Sequence, residues 1–273
     1  MGFIRRLDKK HIAALYNNEN SRIFNLLMND IKSGFVFPAL RKDEIYFYYD
    51  GGCLYKFVNG CFVRDMAYEK YTCTVNCLSS YETAKKQIES KFTNTKGNDK
   101  ERRLLSASYC HTYCREKELN TIVLDIEVNL NGNTARGKKC DLVLYNTQSS
   151  ELMFVEGKVF CDRRVNVKQG YIPEVIEQVN AYSAAIAEQN ETIVNQYENY
   201  IVIINSLFGT TYKKPKRLVQ TAKLLVYETP LLLTDNNKYS IDTITAALGE
   251  NNVVWFKQNE RPSTDEIWNT LCK

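Results

Sequence analysis

Histidine and tryptophan are scarce in this chain, with two of each in 273 residues. His11 and His111 are therefore the only imidazoles available to a metal centre. No apolar run is long enough to span a bilayer. The opening MGFIRRLDKK lacks the apolar centre of a signal peptide, and Arg6 stands where a myristoylation motif carries Ser or Thr. These absences predict a soluble, cytoplasmic chain with no membrane partner. There is no internal repeat and no low-complexity tract. The net charge of +4 is too small to mark a nucleic-acid binder by itself, so the placement of the charges matters more than their sum.

Nine cysteines are present, an odd number, scattered through apolar and helical contexts. The CxxC knuckle of structural zinc sites is missing. Cys73 and Cys77, and Cys110 and Cys114 around His111, are spaced CxxxC instead. In a reducing compartment these are expected to be free thiols, several of them buried.

Apolar residues make up 44% of the chain and charged residues 25%, an ordinary globular balance. Residues 8–32 read as helix, interrupted by the Asn-rich stretch at 17–20 and closed by Gly34 and Pro38. Asp50-Gly51-Gly52 and Asn59-Gly60 separate aromatic runs and predict a three-stranded antiparallel meander from about Glu44 to Arg64. Its aromatics are either the packed faces of a small sheet or a base-stacking surface. A helix begins at Ser79, with Glu82 in capping-box position. The polar TNTKGND segment marks a boundary, giving an N-terminal α+β module over 1–95 and a second domain over 96–273. The first module is a candidate for substrate recognition, homodimerisation or docking of a protein partner.

The second domain opens with a helix, DKERRLLSASYCHTYCREKE. Strands follow at TIVLDIEVNL, GKKCDLVLYN and ELMFVEGKVF, with a turn at Asn131-Gly132-Asn133. A helix from about Pro173 to Glu188 comes next, then YIVIINSLF, read as a buried strand. Beyond the basic loop Lys213–Arg217 lie a further strand AKLLVYE, a helix capped by Ser240 and ended by Gly249, a strand VVWF, and a last helix capped by Ser263. The fold class is α/β in the α+β sense, with a mixed central sheet.

The second and third of these strands carry charges where a buried strand should be apolar. Glu156 and Lys158 share a face with Phe154 and Phe160, and Asp141 on the neighbouring strand can lie beside Glu156. Two carboxylates and an ammonium on one patch are best explained by a cation that offsets the carboxylates. Carboxylates with open water positions suit Mg²⁺ or Mn²⁺. The contrary reading makes Glu156 and Lys158 a solvated face and Asp141 a turn residue.

The spacing D-x14-E-x-K resembles the PD-(D/E)xK nuclease superfamily, with Cys140 in place of its Pro. The predicted order αβββαβ, over roughly Asp99 to Phe208, is the restriction-endonuclease-like core of that superfamily. Gln178 and Tyr182, four apart on the next helix, look like the QxxxY feature of its RecB-like members. The resemblance implies a nuclease acting on nucleic acid, taken as DNA. Asp141, Glu156 and the carbonyl of Gly157 would hold Mg²⁺ or Mn²⁺. Lys158 would act on the attacking water or the transition state, and Gln178 and Tyr182 would position water or backbone. A further acid completes such sites. Glu127, in the first strand beside Asp125, is the favoured one, with Glu101, Glu116 and Glu118 as rivals at helix ends. Some RecB-like nucleases hold an iron–sulfur cluster through a downstream cysteine trio, but only Cys272 follows Cys161 here. Basic residues flank the proposed site in sequence and would meet phosphates: Arg136, Lys138 and Lys139, then Arg163, Arg164 and Lys168, then Lys213, Lys214, Lys216 and Arg217. Two other readings stay open: a non-catalytic nucleic-acid-binding module, and a protein-interaction module in which ExK is incidental.

Overall fold

Two tight turns shape the first sheet. Asp50 and Gly51 have φ of 43° and 84°, and Asn59 and Gly60 have 52° and 79°. This is the left-handed backbone that both central residues of a short hairpin turn require. They join β2 (Ile45–Tyr49), β3 (Gly52–Val58) and β4 (Cys61–Val63) into the expected meander. A fourth strand, β1 (Val36–Leu40), pairs antiparallel with β2 and sets Pro38 opposite Phe47. Pro38 therefore does not only close the preceding helix. Lacking an N–H, it fits a strand with one neighbour, and β1 is at the edge of the order β1-β2-β3-β4.

The computed structural model describes residues 4–17, 20–64, 78–91, 98–114, 119–130 and 139–272, with backbone alone for 78–80 and 98–99. The chain divides into two units. One comprises Ile4–Glu118 with Gln196–Tyr212, the other Leu119–Asn195 with Lys213–Lys273. Where the sequence suggests a division near residue 95, the described residues 98–114 group with the N-terminal unit. The TNTKGND segment lies mostly outside the described residues, as does the turn at Asn131-Gly132-Asn133.

In the first unit, α1 (Lys9–Leu15) and α2 (Asn20–Lys32) are separated at the Asn-rich stretch. Asn17 Oδ1 accepts the Asn20 N–H at 2.9 Å, and the Asn20 side chain donates to the carbonyls of Ala14 and Gly60. The break is thus stitched to the β3–β4 turn. α3 spans Leu78–Lys91, one residue earlier than expected, so Ser79 lies inside it rather than capping it. α4 is Asn98–Tyr109. Phe47, Tyr55, Phe57 and Phe62 are buried, and Tyr55 stacks on Tyr81 with centroids 5.9 Å apart. Most of the meander's aromatics are therefore core and offer no stacking face.

The second unit is built on a mixed sheet. β5 (Thr121–Asn129), β6 (Lys139–Asn146) and β7 (Glu151–Val159) run antiparallel, while β9 (Lys223–Thr229) and β10 (Val253–Lys257) continue parallel to β7, in the order β10-β9-β7-β6-β5. The two-residue β8 (Arg217–Leu218) pairs with the start of β7.

YIVIINSLF is not a strand. It is the end of α5 (Glu174–Phe208), a 35-residue helix. Tyr197, Tyr200, Ile201, Ile204, Leu207 and Phe208 are buried, whereas Val202 is 52% exposed. That is three-and-four spacing, where a strand would alternate. No Gly or Pro interrupts the chain between Pro173 and Gly209. Gly209, at φ 68°, ends the helix with its N–H on the Asn205 carbonyl. After α5 the chain re-enters the sheet with the two-residue β8 and then with β9. No helix among the described residues is long and apolar enough to cross a membrane.

α6 (Asp235–Leu248) is capped by Thr234, not Ser240, and ends at Gly249 as expected. Ser240 is buried in its second turn, where its Oγ accepts the Val167 N–H at 3.0 Å. α7 (Thr264–Leu271) carries the expected cap: Ser263 and Glu266 form a reciprocal capping box. Ser263→Ala removes that box, and thermal melts should show Tm lowered by about 2–4 °C.

Candidate active site

Strand register brings the charged residues together. β6 and β7 pair Leu142 with Val155 and Val143 with Phe154, so the next position sets Asp141 across from Glu156. β5 and β6 pair Ile126 with Leu142 and Val128 with Cys140, so Glu127 stands across from Asp141. A row of three acids thus crosses the sheet from β5 to β7. A bulge between Val123 and Asp125 interrupts β5 just before this row. Glu127 has φ of 49°, a left-handed backbone uncommon for a residue other than Gly and found at strained sites.

The centre of the site is buried. Glu156 is 1% and Lys158 2% exposed, in a strand buried at every residue but its first. Their side chains make a direct ion pair. Lys158 Nζ also donates to the Gly157 carbonyl at 2.8 Å and lies 3.6 Å from Asp141 Oδ2. Asp141 Oδ2 in turn accepts the Gly157 N–H at 2.9 Å. One ammonium thus gathers oxygens from Asp141, Glu156 and Gly157.

Burial raises the pKa of the Asp141 carboxyl. The Lys158 ammonium and the Gly157 N–H pull the other way, and the charge of Glu127 adds to the rise. Cys140, fully buried beside them, is driven well above the usual thiol range by burial and then by the charges of Glu156 and Asp141. At the position where the resembling family has Pro, this chain therefore has an inert, protonated thiol.

α5 closes the site from one side. Gln178 Nε2 donates to Glu156 Oε1 at 2.5 Å and to the Tyr182 hydroxyl at 3.0 Å. Gln178 is 6% exposed and Tyr182 is fully buried. Burial, and then the nearby Glu156 charge, hold the Tyr182 hydroxyl far above its ordinary pKa, so it stays protonated. The four-residue spacing does put both side chains on the site, but their contacts run to Glu156 and to each other. They are positioned to fix a carboxylate rather than to reach into solvent.

The remaining predicted residues divide. Glu127 is half exposed and pairs with Lys139 at 3.3 Å. Among the described residues, the His, Cys, Asp and Glu group whose ligand atoms all lie within 4.8 Å of one another is Asp8, His11 and Asp43, and it does not include Glu127. Glu127 is therefore a neighbour of the Asp141–Glu156 pair, not a third member of one tight cluster. Asp125 is fully buried and accepts the N–H of Ile126 at 2.8 Å. Glu101 belongs to α4 in the other unit, and Glu116 and Glu118 lie outside the described residues. The seven described cysteines are free, with Cys53, Cys110 and Cys140 buried; Cys73 and Cys77 lie outside the described residues.

Among the basic residues, Arg163, Arg164 and Lys168 follow β7 directly, on the connection to α5, at the end of the strand that carries Lys158. Arg163 and Lys168 are exposed, whereas Arg164 is held by Asp162. The Lys213–Arg217 loop is misplaced by the sequence reading. Arg217 pairs with Glu151 at the opposite end of β7, and the Lys216 N–H bonds to Ser150. Seven residues of strand separate Glu151 from Lys158, about 23 Å. Lys213 and Lys214 therefore belong to the far end of the sheet. Arg136 and Lys138 lie outside the described residues.

Asp162 was not anticipated. Burial opposes its ionised form, but Arg164 holds its carboxyl below the usual range, with a smaller pull from Lys158. Only the DRR cluster directly after β7 could have signalled it.

The donor set of Asp141, Glu156 and Gly157 is all oxygen, two carboxylates and a carbonyl, which fits a hard divalent cation. The ammonium of Lys158 stands against the same oxygens, as a cation would. No family model, curated protein or solved structure matches the chain.

Proposed function

We propose that this chain is a metal-dependent nuclease that hydrolyses phosphodiester bonds of DNA. One observation carries the reading. The residues of D-x14-E-x-K and of QxxxY, on two strands and a helix, form a single buried, hydrogen-bonded set: Asp141, Glu156, Lys158, Gln178 and Tyr182. A charged set taken out of water costs several kcal/mol, and apolar residues of similar size would pack as well or better. Chemistry is the reason to keep it.

Asp141, Glu156 and the Gly157 carbonyl would hold Mg²⁺ or Mn²⁺. Such an ion, when bound, lowers the pKa of a coordinated water and offsets charge on the scissile phosphate. The Gly157 N–H aims Asp141, and Gln178 aims Glu156, so both carboxylates are preorganised by the fold. Lys158 supplies a positive donor for the charge that builds on the phosphate oxygens. The protonated Tyr182 hydroxyl keeps Gln178 in place and takes no part in proton transfer. Arg163 and Lys168, exposed just beyond this end of β7, and Lys139 on β6, paired with Glu127, would meet the nucleic-acid backbone.

The test is cleavage of linear and circular, single- and double-stranded DNA. Products are expected with Mg²⁺ or Mn²⁺ and none in EDTA. Full cleavage in EDTA would overturn the reading. DNA binding without cleavage in either metal would leave a nucleic-acid-binding module.

A further inference from the structure

The contacts of Lys158 have a consequence for how the site takes up its ion. Its ammonium is shared among Glu156 Oε1, the Gly157 carbonyl and, at 3.6 Å, Asp141 Oδ2. These are the three groups assigned above to the metal. Glu156 Oε1 is further engaged by Gln178, so it already takes two donors, one for each of its lone pairs. Lys158 and Glu156 are almost completely buried, so repulsion between the ammonium and a second cation placed beside it would be only weakly screened.

We infer that the Lys158 ammonium and the divalent ion are alternative occupants of one oxygen cage, so that the ion loads only as Lys158 leaves it. The inference rests on the nuclease reading and adds a regulation to it. Before metal arrives, the lysine is the counter-ion that keeps two carboxylates together. Inside the cage, two of its three donors are engaged by Glu156 and Gly157 and the third lies toward Asp141. Outside it, those donors are free for a phosphate oxygen. Metal loading and release of the lysine for catalysis are then one event. A cation held only through the other carboxylate oxygens would leave the ammonium where it is, and this is the alternative to be separated.

The experiment is Mn²⁺ titration by calorimetry, without nucleic acid, of the full chain and of two variants. Lys158→Met should bind Mn²⁺ at least about tenfold more tightly than the unchanged chain, while cleaving no DNA. Lys238→Met removes an exposed positive charge on α6, away from the cage and its neighbouring acids, and should shift affinity less than about twofold. Equal or weaker binding by Lys158→Met overturns the inference and leaves the nuclease reading standing. So does tightening by Lys238→Met to the same extent, because general electrostatics would then suffice. Absence of Mn²⁺ binding in all three overturns the nuclease reading and the inference together.

A measurement on the unchanged chain covers the case in which Lys158→Met fails to fold. A short pulse of acetic anhydride, read by mass spectrometry, should modify Lys158 severalfold more in saturating Mn²⁺ than in EDTA. Lys223, buried and held by Asn251 and Asn252, serves as the unchanged reference. Equal modification of Lys158 in both conditions would mean that the ammonium never leaves, and the inference would be wrong.

Discussion

Asp141→Asn should lower metal-dependent DNA cleavage at least about a hundredfold while leaving the fold in place. The choice of Asn over Ala matters. Asp141 Oδ2 accepts the Gly157 N–H, and an amide oxygen can keep that bond, so the strand backbone beneath the site is preserved. What is lost is the negative charge, and with it a ligand for a hard cation and part of the field that holds Lys158. A contribution of several kcal/mol to the transition state is typical of such an ion, and each 1.36 kcal/mol is a factor of ten in rate. Because the Asp141 side chain is 22% exposed, the change should move Tm by only a few degrees. Cleavage rates, with thermal melts as the control for folding, decide the matter. A variant that cleaves like the unchanged chain would remove Asp141 from the site and end the nuclease proposal.

The centre of the site was legible because it depends only on the two-residue period of strands and on a hairpin. Once GKKCDLVLYN and ELMFVEGKVF are taken as neighbours, Asp141, Glu156 and Lys158 fall on one face without further knowledge of the fold. Gln178 and Tyr182 were legible for the same kind of reason, since a spacing of four fixes a helix face. The periphery was not. Whether Lys213 lies near Lys158 depends on which end of β7 the chain returns to, and nothing in a local pattern encodes that. Glu127 was placed in the correct row, but its left-handed backbone and its pairing with Lys139 are set by the bulge in β5, which leaves no reliable trace in TIVLDIEVNL.

The fold shows the same division between local and non-local information. The tight turns at Asp50-Gly51 and Asn59-Gly60, the break at Asn17–Asn20 and the Ser263 cap were read correctly because each is decided within a few residues. YIVIINSLF was misread because a short apolar run is equally a buried strand or the buried stripe of a helix. The decisive clue was the lack of any Gly or Pro before Gly209, which allows α5 to continue through it. Pro38 misled in the opposite direction, since the exclusion of proline from sheets does not extend to an edge strand such as β1.

Glu156→Leu should destabilise the chain by about 3 kcal/mol, the low end of the cost of breaking a buried pair, because Asp141 still stands 3.6 Å from the Lys158 ammonium. The ammonium of Lys158 would remain only 2% exposed, beside the Gly157 carbonyl at 2.8 Å and Asp141 at 3.6 Å but without its closest carboxylate. Adding Lys158→Met should restore most of that loss, because two apolar side chains of similar volume replace a pair whose attraction does little more than offset its desolvation. Urea unfolding of both single variants and the double variant forms a cycle in which the losses are strongly non-additive. Losses that simply add would mean that the two charges do not depend on each other, contrary to their direct contact. Recovery in the double variant, joined to complete loss of cleavage, would show that the pair is dispensable for folding. A buried ion pair that a Leu and a Met can replace without harm to stability is retained for what it does to a ligand, which under the nuclease proposal is a divalent cation.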